Sequence, residues 1–73
     1  MHGKSNADLE RFEFVDGERR SAALRQRKAY KRLSNASAGS AESMAAWSEY
    51  RESVRMLAER VAELEELIWR MKV

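Results

Sequence analysis

Large apolar side chains recur at intervals of three and four along the second half of the chain. With Trp47 set at heptad position a, the a positions are Trp47, Val54, Val61 and Ile68, and the d positions are Tyr50, Leu57, Leu64 and Met71. All eight are large and apolar through four heptads, which predicts a helix over 43–73, about 46 Å long, with a coiled-coil seam. Burying a large apolar side chain contributes roughly 1.5–3 kcal/mol, so the seam represents on the order of 12–24 kcal/mol gross. Left in water it would drive aggregation. The expected outcome is a homo-oligomer, with a dimer favoured. Val and Ile at a with Leu at d favour parallel strands, and Arg60 and Glu65 would attract across such a pair. Trp47 and Tyr50 are bulky for a two-stranded seam, so that end is expected to splay or accept a third element.

Upstream the pattern weakens. Residues 18–36 read as a shorter basic helix whose stripe, Ala22, Ala29 and Leu33 with Tyr30 beside it, is narrow and mostly alanine. Residues 37–42 read as a flexible linker, with Gly39 as a helix stop and Ser40 or Ser43 as the cap of the C-terminal helix. Residues 1–17 read as an N-terminal arm. Leu9, Phe12, Phe14 and Val15 support a short helix capped at Ser5 or Asn6 and stopped at Gly17, while the alternation of Phe12 and Phe14 with charged residues is the strand alternative. The heptad register carried backwards places Gln26 and Leu33 at a and Ala22, Ala29 and Ala36 at d. The two long segments are thus in phase. The predicted fold is all-α, either a helical hairpin or one interrupted long helix.

Length bounds this picture. At 73 residues the chain is one domain at most, and chains this small bury proportionally little surface and usually need a staple or a partner. There is no cysteine, hence no disulfide or thiolate metal site, and the single histidine is His2. No proline occurs and only three glycines do, which suits helices. No apolar run reaches the length of a membrane span. Met1–Ser5 lacks the apolar core of a secretion signal, so a cytoplasmic or virion-associated protein is expected.

Net charge is only +2, but it is unevenly distributed. Residues 17–33 carry seven basic side chains (Arg19, Arg20, Arg25, Arg27, Lys28, Lys31, Arg32) against Glu18, while both flanking segments are mildly acidic. Such a block can neutralise phosphates, so nucleic acid is a candidate partner. A basic helix leading into a dimeric seam resembles a basic-leucine zipper in layout. That family carries an asparagine ahead of paired alanines in an unbroken helix. Here Ala22-Ala23 follow Arg20-Ser21, and Gly39 interrupts. Membrane-surface binding is disfavoured, because an alanine face inserts poorly. Trp69 falls at position b, off the seam, where it is a candidate partner anchor or packs on Val73.

Catalysis has little to work with. The serines lack a histidine base, and Asp8, Glu10, Glu13 and Asp16 have neither a scaffold to shift their pKa nor a calcium-loop spacing. No glycine-rich phosphate loop exists. The expectation is therefore a non-enzyme without cofactor, metal or small-molecule substrate. It would be a self-associating helical adaptor or structural protein, of the kind found among phage or mobile-element virion components and inhibitors. The alternative is a nucleic-acid-binding regulator that dimerises through its C-terminal helix.

Overall fold

A computed structural model describes residues 6–72, which form two α-helices: α1 (Asn6–Asn35, 30 residues) and α2 (Ala41–Lys72, 32 residues). They fold back on each other as an antiparallel hairpin measuring 58 × 14 × 12 Å. A single helix of this chain length would reach roughly 100 Å, so the interrupted-helix alternative is excluded.

The separate arm and the stop expected at Gly17 are both absent, because α1 runs through that position without a break. Gly17 is exposed, and a Cβ built there meets nothing within 4 Å. Glycine in a helix costs about 0.5–1 kcal/mol relative to alanine, too little to stop a helix that a neighbouring helix supports along its length. The strand alternative at Phe12 and Phe14 fails too, because both residues lie within α1. Ser5, one of the two candidate caps, lies outside the described residues, and Asn6 is already helical.

The reversal is tighter than the expected linker. The Ala36 N–H reaches back to the Leu33 carbonyl at 3.4 Å, and the Ser40 N–H to the Ser37 carbonyl at 3.1 Å. Between them Gly39 adopts a φ of +78°, a conformation that a side chain disfavours. Ser40 then caps α2, its Oγ accepting the Ser43 N–H at 3.0 Å. Glu42 sits in the first turn of α2, where a negative charge suits the helix dipole.

Two kinds of packing hold the hairpin. Near the open end, Val15 and Leu67 are fully buried and Leu64 nearly so, with Phe12 packed against them. Toward the turn the contact is made by small residues: Ala22 and Ala29 on α1, Ala46 and Ser53 on α2. Small side chains let the two backbones approach closely. Buried Ser53 satisfies its hydroxyl by donating to the Tyr50 carbonyl at 2.7 Å. Among the described residues only three large apolar side chains are thus removed from water, a small core for a chain of this length. Neither helix is long and apolar enough to cross a membrane.

Candidate interaction surface

The two edges of the hairpin differ in chemistry. Along one edge of α1, Arg11, Glu18, Arg25 and Arg32 recur at intervals of seven, and each meets an opposite charge on α2. Arg11 Nε lies 2.6 Å from Glu63, and Glu18 lies 3.1 Å from Arg60 Nε. Arg25 reaches Glu49 at 3.3 Å and Glu52 at 3.5 Å, and Arg32 reaches Glu42 at 3.0 Å. Arg25 also sets Nη1 3.3 Å from the Met56 sulfur. The contact between Arg60 and Glu18 is an ion pair without hydrogen-bond alignment, since the buried Nε finds no acceptor in line. Exposed pairs of this kind stabilise weakly, but four levels of them fix the register of the two helices.

These contacts shift the carboxylates. Hydrogen bonding from Arg11 holds the Glu63 carboxyl below its ordinary range, and Arg32 does the same to Glu42. Asp16, bound by Arg19 at 2.8 Å and Arg20 at 2.9 Å, is likewise lowered, chiefly through the hydrogen bond from Arg19. Each shift is opposite in sign to the one a general acid at neutral pH requires. Among the described residues no group of three or more acidic, histidine or cysteine side chains is gathered as metal ligands would be.

The other edge is apolar and open. The predicted eight-residue seam is divided here. Its d positions turn toward α1: Leu64 is buried, and Tyr50, Leu57 and Met71 are partly buried. Its a positions lie along the edge and remain accessible: Trp47 at 47%, Val54 at 38%, Val61 at 41% and Ile68 at 42%. From α1 the exposed Tyr30 joins them. Its ring lies 6.1 Å from Tyr50, and Tyr50 stacks on Trp47 at 5.8 Å. Beside this cluster a shallow recess is lined by Ala23, Gln26, Arg27, Tyr30, Lys31 and Tyr50. The assumption that one partner helix would cover all eight seam residues is thereby corrected. A parallel two-stranded coil using the whole seam would require the hairpin to open. Arg60, expected to attract Glu65 across such a coil, is engaged instead with Glu18 and Glu63. Ala22 and Ala29, in phase with the seam, face α2 rather than extend it.

The basic block is divided as well. Arg19 and Arg20 hold Asp16, and Arg25 and Arg32 belong to the ion-paired edge. Arg27, Lys28 and Lys31 are exposed on the outward side of α1, with no ion pair among the described residues. Trp69 stands largely exposed with Lys72 Nζ 5.9 Å from its ring centroid. The suggested packing partner Val73 lies outside the described residues. Sequence reasoning missed Ala46, Ser53 and Leu67 as seam residues. Their signal was the spacing of seven through 46, 53, 60 and 67, hidden because a search for bulky side chains passes over alanine, serine and an arginine.

The structure thus defines an antiparallel helical hairpin with one edge closed by ion pairs and the other bare and aromatic-rich. Neither a protein-family model nor a curated protein nor a solved structure matches the chain.

Proposed function

We propose that this chain is a non-enzymatic, self-associating helical adaptor or structural protein that works by protein contact through its open apolar edge. One observation carries the reading. Trp47, Val54, Val61 and Ile68 form an exposed stripe about 32 Å long, at 1.5 Å per residue, on a hairpin whose own core is small. Exposed apolar patches of this extent mark interaction sites on small proteins. Small size, abundant alanine and arginine, and the lack of paired catalytic groups suit a virion component or inhibitor of the kind phages and mobile elements encode, acting in the cytoplasm or within a particle.

Val54→Asp and Val61→Asp test this, because both sites are exposed and neither belongs to the buried cluster of Val15, Leu64 and Leu67. Light scattering should give the wild type about twice the chain mass of 8.5 kDa and each variant the mass of one chain, with helical circular dichroism retained. A wild type that remains a single chain at every accessible concentration would refute the reading.

A second reading has its own support. Arg27, Lys28 and Lys31 are exposed and have no ion pair among the described residues, which leaves their charges available to phosphates. Binding to duplex DNA or RNA should then weaken by roughly one decade per decade of salt for each phosphate neutralised. Reversing these three charges should remove it. No retention on either polymer at low salt ends this alternative.

A further inference from the structure

We infer that the occupant of the open edge is a second copy of the hairpin laid end over end, with the turn of one copy over the open end of the other. This rests on the self-association proposed above and specifies its geometry.

Two hairpins can meet face to face across this edge in two symmetric ways. With the dyad along the helices, turn lies over turn and α2 faces the partner's α1. With the dyad across the helices, turn lies over open end and α2 faces the partner's α2. The apolar stripe favours the second. Bulk on this edge is concentrated on α2, whereas α1 contributes Tyr30, flanked by Ala23 and Gln26. Reversing α2 about the level between Leu57 and Ala58 sets Trp47 against Ile68 of the partner subunit, and Val54 against the partner's Val61. All four exposed a residues are then covered.

Charge points the same way. Arg51, Ala58 and Glu65 are exposed at intervals of seven on the outer border of the stripe, and neither Arg51 nor Glu65 has an ion pair among the described residues. End over end, Arg51 comes to the level of the partner's Glu65 on both sides of the dyad, with small Ala58 near the dyad itself. Turn over turn, Arg51 instead meets the stretch of α1 that carries Arg27 and Lys31, and Glu65 meets the acidic first turns of α1. The whole molecule repeats this asymmetry. Residues 21–55, the turn half, hold seven basic and three acidic side chains, net +4. The open half, residues 6–20 and 56–72, holds six basic and nine acidic, net −3. Opposed halves attract only in the end-over-end arrangement. A face about 32 Å long and two helices wide covers on the order of 600 Å² per copy, which brings the pair near the roughly 1,200 Å² at which specific interfaces begin.

Because the chain has no cysteine, a single Arg70→Cys substitution carries one spin label per copy at an exposed site. Pulsed electron-spin distances on the full chain should show the two labels about 38 Å apart along the bundle axis, against roughly 20 Å across it for turn over turn. Arg51→Glu and Glu65→Arg should each weaken the dimer roughly tenfold, since each reverses two symmetry-related pairs. The double exchange should restore it. A dimer with the short distance, or one tightened by Arg51→Glu, overturns this geometry and leaves self-association standing. A wild type that stays a single chain overturns both.

Discussion

At the scale of single residues, the two described glycines make opposite demands on the backbone. Gly39 takes a φ of +78° at the turn, where any side chain is strained, although a Cβ there would meet nothing within 4 Å. Gly17 is an ordinary exposed helical position that happens to lack a side chain. Gly39→Ala should therefore destabilise the hairpin by about 1 kcal/mol, and Gly17→Ala should stabilise it by about 0.5–1 kcal/mol. Urea unfolding followed by circular dichroism separates the two. Equal effects would mean that α1 is not continuous through residue 17. Sequence alone could not sort them. Glycine is both the commonest helix stop and a tolerable helix interior, and the difference is decided by whether another helix lies alongside. Leu67 has the same lesson in reverse. It falls outside the a and d positions of the bulky pattern, yet it is fully buried against Val15. Leu67→Ala should cost about 2–5 kcal/mol, whereas Trp47→Ala, at an exposed site, should leave the isolated hairpin almost unchanged and act on association.

At the scale of the helices, the heptad pattern was legible and its meaning was not. Four heptads of large apolar residues do establish that α2 is a helix with an apolar face. They do not say how many neighbours share that face. The d stripe turns to α1 and the a stripe turns outward, because the small side chains at Ala46 and Ser53 rotate α2 to bring its backbone against Ala22 and Ala29. The basic block was equally visible as composition, but its division into ion-paired and free cations depends on which α1 residues lie at intervals of seven on the edge beside α2. The ion-paired edge has a pH dependence of definite sign. Glu63 and Glu42 on that edge, and Asp16 paired within α1, are held below their ordinary carboxylate range in the folded chain. Their contribution is therefore complete above the unfolded values near about 4, and is lost as pH falls through the lowered folded values. Thermal unfolding should move to lower temperature below about pH 4, and Glu63→Gln should flatten that decline. A midpoint that rises on acidification would show that these contacts do not form in solution.

At the scale of the whole molecule, a slender hairpin with a small core is joined to an open edge whose side chains are as bulky as those it buries. The physical link between these facts is mass action. If association covers the edge, folding and association are coupled, and the midpoint of thermal unfolding rises with protein concentration. A monomeric hairpin shows no such dependence. Val54→Asp separates the cases, since it places a charge on the stripe without touching the Val15–Leu67 cluster. The variant should unfold at one temperature at all concentrations, and that temperature should match the wild type extrapolated to high dilution. Were the wild-type midpoint independent of concentration over several decades, the hairpin would be sufficient in itself, and the exposed stripe would await a different protein.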